Sequence, residues 1–342
     1  MARQAVKKQE DKEMSNNPVK TIAVLTSGGD APGMNAAVRA VTRVSQTYGL
    51  RVLGVRRGYA GLLKDEMSEL APSDVGNIVE RGGTFLYTAR SQRFMEKEGR
   101  QEAAAILRSH DVDALVAIGG DGTFRGALEL SKEGINVIAV PATIDLDLAC
   151  TDYTIGFDTA VNTAMEAIDR IRDTSTAHER ISVIEVMGRK AGYIALWTSI
   201  ACGAEEVLLP ETYDYNDRAL IDRIKERVAA GKKQHIIVNA EGIGQSESLA
   251  ARIENATGIQ SRATNLGYLQ RGGSPTCKDR VYASLMGEKA VDALLAGHRN
   301  RAIVHLDGEF KDIDLAEALN MTKEIPENYL ALTVNLVRHF HK

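Results

Sequence analysis

The stretch ALVAIGGDGTFRGALELS, residues 114–131, decides how the rest of this chain is read. It opens on five apolar residues, Ala114–Ile118, a run short enough for one buried strand. It then turns through Gly119-Gly120-Asp121-Gly122-Thr123 and continues at helical spacing to about Ser131. The same order of strand, turn and helix recurs elsewhere. Thr21–Leu25 (TIAVL) ends in Thr26-Ser27-Gly28-Gly29-Asp30, and a helix follows from about Gly33 to Tyr48. Val137–Val140 (VIAV) ends in Pro141-Ala142-Thr143-Ile144-Asp145. Ile181–Val186, Glu206–Leu209 and Ile236–Val238 read as further strands between helices. Apolar strands alternating with helices predict an α/β fold, with mainly parallel sheets and helices on both faces. Ligands of such sheets bind beyond the carboxyl ends of the strands. Three turns distant in sequence can therefore serve one site.

Composition narrows the class. At 342 residues the chain can form two domains or one large α/β domain. Its net charge of −4 gives no electrostatic reason for a nucleic-acid partner. Any bound anion must be held by local cations and backbone amides. No stretch approaches the ~20 apolar residues of a membrane span. Cys150, Cys202 and Cys277 are odd in number and far apart, which fits a reducing, cytoplasmic setting and small core residues. Residues 1–18 are polar and mixed in charge, and read as a flexible tail rather than a secretory signal. Trp197, in a helix-like stretch, reads as core or interface, and His339 and His341 as no metal pair.

The turns carry the chemistry. Gly28 and Gly29 precede a helix, where a backbone without side chains can close on a phosphate and helix amides favour anions. A plain strand–helix turn accounts for that pair equally well. The chain has neither the GxxxxGK-S/T phosphate loop nor a GxGxxG fingerprint. A carboxylate at Asp121, set among three glycines, can reach a metal-bound triphosphate, since Mg²⁺ favours one or two carboxylates plus phosphate oxygens. The plain alternative is a helix cap by Asp121, although one cap does not need three glycines. Asp145 and Asp147 stand two residues apart in Thr143-Ile144-Asp145-Leu146-Asp147. One can orient and deprotonate a hydroxyl while the other sits near a metal; a solvated loop is the alternative. At a pKa of about 3.9 such a carboxylate is ionised at neutral pH. Arg90, Arg180, Arg189, Arg262 and Arg271 lie in or beside glycine-containing segments, and a planar guanidinium suits phosphate. Any one arginine taken alone is more often a surface residue.

The segments LTSGGDAPGMNAA, RGGTFL, IGGDGT, TDYTIGF, EVMGR, RAT and LQRGGSP stand together in one order and spacing. In these the chain resembles the phosphofructokinase family, in its bacterial ATP-dependent form, from about Lys20 onward. The resemblance implies a glycolytic kinase that moves the γ-phosphoryl of MgATP to the 1-hydroxyl of fructose 6-phosphate. It implies that Gly29, Gly120, Asp121, Gly122 and Thr123 cradle ATP, with Tyr59, Arg90, Ser91 and Gly126 nearby. Asp121 would hold Mg²⁺ and Asp147 would support the metal site. Asp145 would be the base, with Thr143 and Arg189 beside the transferring group and Arg90 stabilising its charge. Met187, Gly188, Glu241, Tyr268 and Arg271 would contact the sugar phosphate. Arg180 and Arg262 would reach a neighbouring subunit's site, which implies a homotetramer. Arg39, Arg43, Arg172, Glu205, Lys232 and Lys233 would form an effector site for ADP or phosphoenolpyruvate. A solvated helix face is the alternative for Arg39 and Arg43, which stand at i and i+4.

The resemblance also implies two Rossmann-like α/β domains with the active cleft between them. The larger, ATP-binding domain would cover 19–156 and about 270–320, and the sugar-phosphate domain 157–269 and about 321–342. Four departures stand out. The family loop PGTIDND reads PATIDLD here, Tyr268 replaces a histidine, and Ala230 replaces a lysine of the effector site. The family's pyrophosphate-dependent members carry Asp and Lys where this chain has Gly122 and Ala142; both are small here, so ATP should fit. A non-catalytic paralogue would be expected to lose Asp121, Asp145 or Arg90, and all are present. A dinucleotide-binding dehydrogenase lacks its fingerprint.

Overall fold

A computed structural model describes residues 19–337; the tail expected at 1–18 and the residues His339 and His341 lie outside the described residues. The strands among the described residues are β1 Thr21–Ser27, β2 Arg51–Val55, β3 Met67–Glu69, β4 Ala114–Gly119, β5 Asn136–Pro141, β6 Ile181–Val186, β7 Glu206–Leu208, β8 His235–Ala240, β9 Ser261–Asn265, β10 Arg301–Leu306 and β11 Glu309–Asp314. They divide between two compact units. Of the described residues, the first comprises 19–143, Leu148–Gly156 and Gly273–Thr322. The second comprises Ile144–Asp147, Phe157–Gly272 and 323–337.

The first unit holds a sheet in the order β11-β10-β5-β4-β1-β2-β3. Its interior pairings are parallel, and only the edge strands β3 and β11 run antiparallel. β1, β4 and β5 are buried along their whole length, because helices cover both faces. On one face Leu25, Leu115, Val137 and Ala139 pack with Leu107 and Phe124 of the covering helices. On the other, helices Met34–Thr47 and Cys277–Leu295 lie against each other. Gly287 makes that approach possible, since a Cβ there would fall 2.8 Å from the Cβ of Ala40. The register sets Ser27 beside Gly119 and Gly119 beside Pro141. Three strands thus end level, and their three turns leave the sheet side by side.

The second unit holds a smaller, all-parallel sheet in the order β7-β8-β6-β9. Ile181, Val183, Leu208 and Ile237 pack there under Leu220, Ile224, Leu249 and Ile253.

The mainly parallel α/β architecture agrees with the apolar pattern. The pattern did not show β2, β3, β9, β10 or β11. Of these, the β10–β11 hairpin had a signal, Asp307-Gly308, both with positive φ in a two-residue turn. The cysteine expectation needs correction: Cys150 is buried, but Cys202 is half-buried and Cys277 exposed, and none is in a disulfide. Trp197 is 39% exposed, edge-on to Phe157 and Tyr329. No helix among the described residues is long and apolar enough to cross a membrane.

Candidate active site

In the first unit the three glycines around Asp121 have separate reasons. A Cβ on Gly119 would lie 2.4 Å from both the carbonyl oxygen of Ser27 and Oγ1 of Thr123. One on Gly120 would press on the Cβ of Thr143 at 3.3 Å. These two let neighbouring turns close together; Thr123 Oγ1 then donates to the Ser27 carbonyl at 2.9 Å. Gly122 differs, because a Cβ there meets nothing within 4 Å. It is the glycine whose side-chain space is open to a ligand. The cap reading for Asp121 is overturned: Gly120 is the N-cap, without a side-chain bond, and Asp121 is the first helical residue. Its carboxylate accepts from Nε of Arg125 at 2.8 Å and stays partly exposed at the positive end of the helix.

Tyr59 is buried and its hydroxyl donates to the carbonyl of Thr123 at 2.8 Å. Its ring stacks on Phe94, with centroids 4.0 Å apart. Gly126 must be small for that ring, since a Cβ would fall 2.8 Å from it. Both residues therefore shape the glycine turn from behind. Ser91 accepts from the amide of Phe94 and caps a short helix. Arg90, one residue earlier, is exposed. Its loop is tied down by Asn35, which donates to the carbonyl of Arg81 at 3.0 Å and accepts from the amide of Phe85 at 2.6 Å. Thr88 Oγ1 donates to the carbonyl of Gly28 at 2.7 Å, joining this loop to the Gly28-Gly29 turn.

In the second unit Arg189, Arg271 and Glu241 act on the charge of Asp145. This carboxylate is 1% exposed, and its Oδ2 lies 3.4 Å from Nε of Arg189. The expectation of an ordinary carboxylate needs correction. Burial, then the charge of Asp147, push Asp145 up to about 6 against the pull of Arg271 and Arg189, with Glu241 also raising it. That value suits a base working near neutrality better than about 3.9 does. Leu146, beside it, is buried with φ 53. Left-handed backbone tolerates Asn better than Leu, so the departure from the family's Asn carries a local strain.

Arg189 sits in an unusual turn. Gly188 has φ 136, and a Cβ there would fall 2.4 Å from the carbonyl oxygen of Ala191. Arg189 follows with φ 55. Glu241 Oε1 accepts from the Arg189 amide at 2.7 Å and the Gly188 amide at 3.3 Å. Glu241 thus holds the turn that aims Arg189, a role the sequence did not suggest. Met187 is buried, and its amide donates to Gln270 at 3.3 Å. Tyr268 is 82% exposed, Arg262 is exposed on β9, and Arg180 is half-buried.

Among the effector candidates, Glu205 is buried, pairs with Lys232 and accepts from the amide of Ile236 at 2.7 Å. Lys233 pairs instead with Glu179 at 2.8 Å, and Arg172 donates to the carbonyl of Cys202. Arg39 and Arg43 are half-buried on their helix, which argues against a freely solvated face.

Asp121 and Asp147 offer hard carboxylate oxygens, a donor type that suits Mg²⁺. No group of three or more His, Cys, Asp or Glu able to cage an ion occurs among the described residues. Either carboxylate suits a cation carried largely by phosphate oxygens and water.

The first unit is an α/β layer with glycine turns at level strand ends, one of them opening a helix, and the second holds a buried carboxylate beside an arginine; such features are of the kind that suits phosphorylated ligands. The profile of the phosphofructokinase family matches residues 21–294, and the chain belongs to that family. It is 53% identical over 310 residues to ATP-dependent 6-phosphofructokinase 1 of Clostridium perfringens strain 13, covering 91% of this chain and 97% of that protein. It is 52% identical over 309 residues to ATP-dependent 6-phosphofructokinase of Clostridium botulinum strain Loch Maree, covering 90% and 97%. Among solved structures, Pichia pastoris phosphofructokinase in the T-state superposes with a TM-score of 0.84 at 34% identity. That match covers 95% of this chain, which spans only 38% of the Pichia chain.

Proposed function

We propose that this chain transfers the γ-phosphoryl group of MgATP to the 1-hydroxyl of D-fructose 6-phosphate, giving fructose 1,6-bisphosphate and ADP. The observation that carries the reading is Asp145, a buried carboxylate beside Arg189, in a chain more than half identical to ATP-dependent relatives. Asp145 orients the attacking hydroxyl and takes its proton. Arg189 and Arg90 place positive charge where negative charge spreads over the phosphoryl oxygens. Gly29 and the turn Gly120–Thr123 hold the nucleotide phosphates through backbone amides. Asp121 would hold Mg²⁺ with support from Asp147, and the bound ion neutralises charge on the phosphates. Positioning and electrostatics contribute more than proton removal, because the transition state of phosphoryl transfer is loose.

The nucleotide candidates fall in the first unit and the sugar-phosphate candidates in the second, so we assign ATP to the one and fructose 6-phosphate to the other. We assign the enzyme to the cytoplasm, where cysteines outside any disulfide are the usual state. The open space at Gly122 favours ATP over pyrophosphate. Ala142 is less telling, because it is wholly buried and bridges to Ile155, so packing alone explains its size.

Initial rates with fructose 6-phosphate and Mg²⁺, with ATP and pyrophosphate in parallel, test the donor. Turnover with ATP alone is expected; turnover with pyrophosphate alone would refute it. We further assign Arg180 and Arg262 to the 6-phosphate of a neighbouring subunit in a tetramer, and Arg39, Arg43, Arg172, Glu205, Lys232 and Lys233 to an ADP or phosphoenolpyruvate site. The exposure of Arg262 supports the first assignment. Arg262→Ser is expected to raise KM for fructose 6-phosphate at least ~10-fold with little change for ATP, the scale of a lost charge-assisted phosphate contact. An unchanged KM would remove Arg262 from the site.

A further inference from the structure

Asp279 is wholly buried in the first unit, two residues inside the helix that starts at Cys277. Its Oδ1 accepts from the hydroxyl of Tyr153 at 2.6 Å and from the amide of Gly156 at 2.7 Å. Those two donors bracket Thr154 and Ile155. Ile155 donates its amide to the carbonyl of Pro141 at 3.0 Å and bridges to Ala142. Thr154 is also fully buried, and its hydroxyl donates to the carbonyl of Thr143 at 2.6 Å. One carboxylate oxygen thus pins both ends of a four-residue segment whose middle grips Pro141–Thr143. Gly33 closes the arrangement from the other side, since a Cβ there would meet Ile155 at 2.8 Å and Asp279 at 3.4 Å.

We propose that Asp279 is a positioning residue for phosphoryl transfer, acting through Thr154 to fix Thr143 and the start of the loop that carries Asp145. The assignment rests on the function proposed above. Asp279 sets the backbone at Thr143, from which the loop continues to Asp145. A carboxyl oxygen suits the task because its lone pairs accept two hydrogen bonds at once. A misplacement of order ~1 Å at a reacting group can cost ~10²-fold in rate. A clamp on the backbone that leads into the loop can therefore matter.

The test uses the full-length protein carrying Thr154→Val, Asp279→Asn or both. Thr154→Val is expected to lower kcat about 10-fold or more while KM for ATP stays within about twofold, on that positioning scale. Asp279→Asn is expected to lower kcat and to speed hydrogen exchange at the Ile155 amide. If Asp279 acts through Thr154, the double variant loses little more kcat than Thr154→Val alone. Should Asp279→Asn fail to fold, Tyr153→Phe replaces it, removing one of the two donors to the same oxygen. Wild-type kcat in Thr154→Val, losses that multiply in the double variant, or unchanged exchange at Ile155 would each overturn the proposal. Absence of turnover in the wild-type protein would instead count against the function itself, and the exchange measurement would still test the clamp.

Discussion

Replacing Asp145 with Ser is expected to lower kcat at least ~10²-fold, the usual scale for a general base. The substitution also removes the partner of Arg189 Nε at 3.4 Å, so Asp145→Asn is the matched control. Asn keeps the shape but cannot take a proton, and should lose a similar factor. Full kcat in either variant would remove Asp145 from the chemistry. The pH profile gives a second check. Burial, followed by the charge of Asp147, raises this carboxylate to about 6. The ionised form is the active base, so activity is present above that pH and falls as pH drops through it. In kcat/KM for fructose 6-phosphate the acid limb should therefore lie near 6 rather than near 4. The Ser variant should lack that limb. A wild-type profile flat down to the ordinary carboxylate range would contradict the burial argument.

The second large effect is expected at Gly188. Its φ of 136 lies where side chains are rarely accepted, and a Cβ would sit 2.4 Å from a backbone oxygen that cannot swing aside. Gly188→Ala must therefore move the turn. The Gly188 and Arg189 amides then leave Glu241, and the Arg189 side chain leaves Asp145. We expect kcat/KM for fructose 6-phosphate to fall ~10²-fold by misplacement. We also expect a stability loss of ~1–3 kcal/mol from backbone strain. Steady-state kinetics and thermal unfolding measure the two. Near-wild-type kinetics would show that this turn does not place Arg189.

Much of this was legible in the chain. The alternation of buried apolar runs with helical periods implied a mainly parallel α/β fold, because a strand covered on both faces must be apolar throughout. The residues of the proposed site were named from turns at strand ends and from the family's motifs. What the chain did not show were roles that depend on neighbours remote in sequence. Glu241 was read as a contact for the sugar phosphate, and the structure shows it holding the Gly188-Arg189 amides. Thr154 stood inside a quoted motif without a role, and Asp279 lay outside every quoted motif. The three glycines around Asp121 were read together, yet two answer to packing and one to open space.

By itself, then, the sequence determined the class of fold, the family and the residue types available for phosphoryl transfer. These follow from periodicity and local turn chemistry, which are written in consecutive residues. The tertiary structure alone decided which strand ends stand level, how deeply Asp145 is buried and which donors converge on Asp279. Those depend on register and on residues more than a hundred positions apart, and desolvation of a carboxylate exists only once the chain has closed around it.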